Sequence, residues 1–370
     1  MANTSEFYRG KRKKTAPALI TTIIILAVVA FAILLFYGLQ KYIVVTNDGL
    51  HLEIPFLEDG ESMSVQSSED GQVVQQSFEP VDAELEIGQA DYSNIKATAG
   101  EKLSAVKLVY VPASSVTASG VESYLSKAAD AAGVLLDIKT VTGMLVWDSQ
   151  TDVAKGYGTS GSVDLESIVS SLKEDGKYVA VRMCCFVDNT LASRYSQLAL
   201  KTDQGVAYSD SNGAWVDPTN ATVKSYISAL CSELSKMGVD EIVLTGMRLP
   251  EASGIEFSFS SSSAVKPTAL TAISGFGINI TRSMRSSSTK MSVQITSQTA
   301  MQSGTDDVTG QSAEILFKVF DRVYYSCDSD SAADIVTTAS DYIELGQAGM
   351  RVVPICSGTA PSTDCWVLTE

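Results

Sequence analysis

The chain has 370 residues, 45% of them apolar, and carries a formal charge of -16 with only one histidine. Such an acidic balance excludes a nucleic-acid partner, because phosphate recognition needs a basic surface. The lone His51 excludes Ser-His-Asp and Cys-His catalysis in the main domain and a histidine-based zinc site.

Taken in order, residues 1–15 form a basic tail carrying Arg9, Lys11, Arg12, Lys13 and Lys14 against a single acid, Glu6. Residues 16–40 contain no charge. A helix of about 20 apolar residues crosses a bilayer core, so this run predicts a transmembrane helix. The preceding Lys-Arg-Lys-Lys cluster places the N-terminus in the cytoplasm and the rest outside. A cleaved signal peptide is the alternative, but the run is longer than a usual h-region and no A-x-A-like site follows it. Residues 41–56 read as a β-hairpin, two β-rich runs flanking Thr46-Asn47-Asp48-Gly49. Residues 57–104 are acidic and rich in Ser and Gln without periodicity, which predicts a linker.

From residue 105 to residue 370 strands and helices alternate. KLVYVPA predicts a strand and SGVESYLSKAADAAG a helix; VLLDIKT a strand and VDLESIVSSLKEDG a helix; YVAVRMCCF a third strand followed by a long loop. After Asp217-Pro218 a helix shows apolar Val223, Tyr226, Ile227, Leu230, Leu234 and Met237 at helical spacing, stopped by Gly238. The strand EIVLTGM follows and ends at Arg248 and Pro250. Then come a Ser-rich loop, a helix near 267–284, the strand KMSVQIT, the helix AEILFKVF, the strand RVYYSCD, the helix SAADIVTTASDYIELG, and the strands RVVPICSG and CWVLT. Eight near-continuous apolar strands alternating with helices match a (β/α)8 TIM-like barrel. A doubly wound open sheet is the runner-up, but no G-x-G-x-x-G follows the first strand and no P-loop is present, so nucleotide-binding variants of that fold lack support; no cofactor is expected. The chain stops at the eighth strand, so the eighth helix is missing and weak closure, or cover from the hairpin, is expected there.

In a barrel the chemistry lies at the C-terminal ends of the strands. Asp137 and Lys139 end the second strand, with Trp147 in its loop. Arg182 lies inside the third, followed by Asp188, Trp215 and Asp217. The fourth ends at Arg248 with Glu251 beyond it, and the eighth carries Trp366. The three tryptophans, at this expected mouth, suit stacking on sugar rings, or cap the core. A buried Arg182 needs an acidic partner, and Asp137 on the neighbouring strand offers one, as part of a site or as a structural ion pair. Glycoside hydrolysis needs two facing carboxyl groups and neither histidine nor cofactor. The six cysteines, Cys184, Cys185, Cys231, Cys327, Cys356 and Cys365, lack C-x-x-C spacing, which argues against a metal cluster. They read as buried thiols, with Cys356–Cys365 pairing the alternative if their strands are neighbours.

These segments resemble a family of bacterial membrane-anchored or secreted proteins classed as putative glycoside hydrolases, with a TIM-barrel domain distantly related to α-amylase-like and xylanase-like barrels. The resemblance covers the hairpin YIVVTNDGLHLEIP and most of the chain from Lys107 onward. VLLDIKTVTG is similar to the family's D-x-K-x-x-x-G and RMCCFVDNTLASRYSQLALKT to its R-x-x-x-F-x-D. GAWVDPTN is similar to its W-V-D-P, and GVDEIVLTGMRLP to its G-F-D-E-I-Q-F-D-Y-V-R-F-P. Asp137, Lys139, Arg182, Asp188, Trp215, Asp217 and Arg248 are retained by position. Thr245-Gly246 stands where the family has Asp-Tyr, and a threonine cannot serve as a carboxylate nucleophile or acid.

Three functional readings are open. The first is a membrane-tethered glycoside hydrolase acting on a cell-wall or extracellular polysaccharide, with Asp137 and Asp188 or Glu251 as the carboxylates. Lys139, Trp147, Arg182, Trp215, Asp217, Arg248 and Trp366 would then bind substrate. The second is a non-catalytic carbohydrate-binding or envelope module that has lost the fourth-strand acid. The third is a polypeptide-binding scaffold in an envelope assembly.

Overall fold

A computed structural model describes two short strands at 43–46 and 49–52 and then residues 103–261, 266–301, 304–341, 343 and 347–369. The basic tail, the apolar run at 16–40 and nearly all of the acidic linker lie outside the described residues. Among the described residues no helix is long and apolar enough to cross a membrane. The chain divides into two units, 1–84 and 85–370. In the first, Ile43–Thr46 pairs antiparallel with Gly49–Leu52, Thr46 opposite Gly49.

The second unit is a closed barrel of eight parallel strands: β1 (Lys107–Val111), β2 (Gly133–Lys139), β3 (Tyr178–Cys184), β4 (Glu241–Thr245), β5 (Lys290–Gln294), β6 (Arg322–Ser326), β7 (Val352–Ser357) and β8 (Trp366–Thr369). Each pairs with the next in sequence, and β8 pairs with β1, Val367 opposite Leu108. Closure excludes the open doubly wound sheet, and the expected weak seam at β8 is absent, since β8 is hydrogen-bonded on both sides.

The main helices outside the barrel are α1 (Ala118–Lys127), α2 (Asp152–Tyr157), α3 (Leu165–Glu174), α4 (Asn189–Arg194), α5 (Ala221–Lys236), α6 (Ala269–Ser283), α7 (Ser297–Met301), α8 (Ala313–Val319), α9 (Ala332–Ala339) and α10 (Ala348–Arg351). Their starts obey local chemistry. Thr117, Asp164, Asn220 and Thr268 each accept a backbone N–H of the first turn, satisfying donors that a helix end leaves open. The helix expected after Asp217-Pro218 begins at Ala221, where the Asn220 side chain caps Thr222 and Val223. It buries Val223, Tyr226, Ile227, Leu230, Cys231 and Leu234 against the barrel. Each such side chain contributes roughly 1.5–3 kcal/mol on leaving water. Gly238, at φ +86, turns the chain out of α5 into β4 in a backbone region that favours glycine.

The barrel interior is stacked in three layers. At the N-terminal end, Glu241 is fully buried. Its carboxylate meets Arg322 at 2.7 Å and accepts the hydroxyls of Tyr178 (2.7 Å), Tyr324 (2.9 Å) and Ser292 (2.5 Å). A buried charge persists only with such saturation. The middle layer is apolar, built from Leu108, Leu135, Ala180, Val243, Val353 and Val367. The third layer, at the C-terminal end, is polar again.

Candidate functional site

The mouth layer is assembled by strand parity. Residues two apart on a strand share a face, so Leu108 and Leu135 in the interior bring Tyr110 and Asp137 in above them. Arg182 follows Ala180 in the same way. Tyr110 donates its hydroxyl to Asp137 Oδ2 at 2.8 Å, and Arg182 Nη1 lies 3.1 Å from the same oxygen. Across the lumen, Arg182 Nε donates to Gln294 Oε1 at 3.1 Å, and Gln294 Nε2 to Ser326 Oγ at 3.4 Å. Contacts from β3 to β1 and from β3 to β5 skip the intervening strand, so this chain of five side chains spans the lumen. The Arg182 guanidinium also stands over the Tyr110 ring, 5.7 Å from its centre, within cation–π range. Burial, and then the Asp137 carboxylate, push the Tyr110 phenol up to about 12, which keeps it a donor. Arg182 retains 24% of its side-chain exposure and Asp137 9%, so the layer is open to a ligand from above.

Asp137 and Lys139 belong to one motif but part company. The pairing of β2 with β3 shifts between them, Asp137 opposite Arg182 and Lys139 opposite Met183. One extra residue reverses the face on which the next side chains fall. Lys139 therefore leaves the lumen and is fully buried outside the barrel, 2.8 Å from Asp188 Oδ2 and 2.8 Å from the carbonyl of Cys184. Burial pulls its pKa down, but Asp188, Tyr226 and Cys184 outweigh this and hold it above the ordinary lysine range. Asp188 is itself fully buried and caps α4 through Leu191 N at 2.8 Å. A Cβ on Gly143, at φ +82, would lie 1.9 Å from Asp188 Oδ1, so only glycine lets this loop pass over the pair. The enclosure gives neither Lys139 nor Asp188 a surface for a substrate.

The tryptophans are not at the mouth as open rings. Trp147 is 1% exposed and donates to Glu233 Oε2 on α5 at 3.1 Å. Trp215 is fully buried beneath Arg248, whose guanidinium stands 5.6 Å from the ring centre. Trp366 opens β8 opposite Lys107, at the barrel end remote from the mouth, because it begins its strand rather than ends it. All three rings are buried, so none is free to stack on a sugar. Asp217 is 2% exposed. Its Oδ1 accepts Thr219 N and Oγ1, both at 2.8 Å, and its Oδ2 accepts Ser260 N and Oγ, both at 2.6 Å. It clamps two loops together. Arg248 pairs with Glu251 at 3.1 Å, and Glu251 is 66% exposed on the loop after β4.

Thus the structure joins Asp137 and Arg182 in the mouth, pairs Lys139 with Asp188 behind the sheet, and sets Arg248 against Trp215 and Glu251. It adds Tyr110, Gln294 and Ser326. Their signal in the sequence was a polar or amphipathic residue at the last inward position of an otherwise apolar strand. Asp137 is the only acid in the C-terminal halves of the eight strands. On β4, Thr245 takes the inward position two after Val243. Gly246 comes next at φ +63, and a Cβ there would lie 2.8 Å from Cys184 Sγ. Among the described residues no three His, Cys, Asp or Glu side chains gather to hold a metal.

A sequence model of a family described as a putative glycosyl hydrolase domain matches residues 108–326. Comparison with curated proteins returns no match. Among solved structures, the glycoside hydrolase domain of PgaB (BpsB) from Bordetella bronchiseptica is 12% identical. That match covers 71% of this chain and 93% of that one, with a TM-score of 0.50. A hypothetical protein from Ruminiclostridium thermocellum is 22% identical over 50% of this chain and 96% of that one, with a TM-score of 0.44. A chitinase from Chromobacterium violaceum is 15% identical over 69% and 68%, with a TM-score of 0.38. At 12% identity the likeness to the Bordetella domain is one of fold alone.

Proposed function

The chain belongs to the putative glycosyl hydrolase domain family, and we propose that its barrel mouth binds a cell-wall or extracellular polysaccharide without hydrolysing it. The observation that carries this reading is the commitment of Asp137: one of its oxygens already serves both Arg182 and Tyr110. Hydrolysis needs a second carboxyl group about 5–5.5 Å away for retention or about 6.5–9.5 Å for inversion. Thr245 supplies none on β4, Asp188 is sealed outside the lumen behind Lys139, and Glu251 is turned to solvent beside Arg248. What remains suits recognition. A carboxylate, a guanidinium and an amide in one fixed layer offer paired donors and acceptors, and these match the neighbouring hydroxyls of a sugar ring. In this reading the uncharged run at 16–40 anchors the protein in the membrane, with the barrel outside.

Family membership favours the alternative, a glycoside hydrolase using Asp137 with Asp188 or Glu251. The full-length protein presented with peptidoglycan and a panel of common glycans separates the two. Binding without release of reducing sugar is expected, with affinity lowered in Asp137→Asn. Sugar release that disappears in Asp137→Asn would establish the hydrolase instead. No binding to any glycan at millimolar sugar would sink both.

A further inference from the structure

Two of the six cysteines face each other. Cys327 directly follows β6, and its N–H donates to the carbonyl of Ile355 at 3.1 Å. This extends the β6–β7 ladder, in which Ser326 is opposite Ile355, by one step and sets Cys327 beside Cys356. Their sulfurs are 3.7 Å apart. The remaining four are placed elsewhere. Cys365 Sγ accepts the N–H of Val106 at 3.3 Å, and Cys184, Cys185 and Cys231 are buried. The expected alternative pairing of Cys356 with Cys365 is therefore not the one the fold prepares.

We propose that Cys327 and Cys356 are a modification site, a dithiol that oxidises to a disulfide joining β6 to β7 at the mouth of the barrel. Neighbouring strands lie about 4.8 Å apart, inside the Cα separation of about 4.4–6.8 Å that a disulfide spans. Rotation of the two side chains then suffices to close the gap, without moving either strand. Access is graded in the order the chemistry needs. Cys327 is partly exposed and Cys356 buried, so an external reagent meets Cys327 first and Cys356 resolves.

The oxidant is a low-molecular-weight disulfide such as oxidised glutathione. The Cys327 thiolate attacks one of its sulfurs, forming a mixed disulfide and expelling one thiolate. The Cys356 thiolate then attacks the Cys327 sulfur and expels the second. The two cysteine protons end on the two released thiols, so the protein loses two hydrogens and the oxidant is reduced. Burial, and then the neighbouring Cys356, push the Cys327 thiol up to about 12, so exchange is slow at neutral pH. The cross-link would pin the end of β6 that carries Ser326, the last member of the mouth layer. It would act with the bond from Ser329 Oγ to the Thr359 carbonyl, 2.5 Å long, which ties the same two loops.

The test uses the full-length protein equilibrated with oxidised glutathione, alkylated, digested without reduction and analysed by mass spectrometry. A peptide pair linked through Cys327 and Cys356 is expected, with two of the six thiols lost to alkylation after denaturation. The link should vanish in Cys327→Ser and in Cys356→Ser and survive in Cys365→Ser. Oxidation should raise the unfolding midpoint by on the order of 5 °C, a shift absent from both serine variants. Three results would overturn the proposal: all six thiols still reactive, glutathione retained on Cys327 with no internal link, or a link through Cys365.

Discussion

Arg182 and Asp137 meet on neighbouring strands, Nη1 3.1 Å from Oδ2, at the one level of the lumen where the barrel is polar and open. Neither is fully exposed, and each is the other's charge partner. Arg182→Met should therefore lower stability by about 1–3 kcal/mol, read from the urea midpoint. The double variant Arg182→Met/Asp137→Leu should recover part of the loss, since no unpaired charge remains. Additive losses in the double variant would mean that the two groups do not interact.

Lys139 and Asp188 form a fully enclosed pair on the other side of the sheet. Removing one charge strands the other, so Lys139→Met should cost about 3–5 kcal/mol. Asn is as good a helix cap as Asp, so Lys139→Met/Asp188→Asn should regain much of that cost while α4 stays capped. A loss below about 1 kcal/mol for the single variant would mean that water reaches the pair.

Gly246 sits where the family resemblance expects tyrosine, in a left-handed backbone conformation with Cys184 Sγ across the gap. Gly246→Ala should destabilise by about 1–3 kcal/mol. Cys184→Ala in the same chain should relieve the steric part and leave the conformational part. Equal midpoints for Gly246→Ala and the unaltered protein would remove this explanation of the departure. The local backbone has been rebuilt around glycine, so an aromatic side chain cannot be restored there by exchange alone.

Tyr110 predicts how the mouth responds to alkali. Its phenol is pushed up to about 12 by burial and by Asp137, against about 10 in an unfolded chain. Its contribution is complete below the unfolded value. Between about 10 and 12 the unfolded state binds fewer protons than the folded state, so that contribution is lost as pH rises. The denaturation midpoint of the unaltered protein should fall more steeply than that of Tyr110→Phe across this window. Parallel profiles would show that the phenol titrates normally.

The sequence by itself determined the barrel. Eight apolar strands alternating with capped helices permit few arrangements, because each strand must be buried on both faces. Neighbouring strands also brought Asp137 and Arg182 together in prospect, since consecutive β/α units stand side by side. The side on which each motif residue would fall was decided only by tertiary structure. A single extra residue between Asp137 and Lys139 sends one into the lumen and the other behind the sheet, and that shift is visible only in the register with β3. The motif runs then close on one another, Lys139 on Asp188 under Gly143, and Trp215 under Arg248. Residues that read as a substrate-binding set are in large part the means by which loops are fastened to the barrel. Tyr110, Gln294 and Ser326 are too ordinary in sequence to single out; they form a site because closure carries the ends of strands far apart in sequence to one level of one lumen.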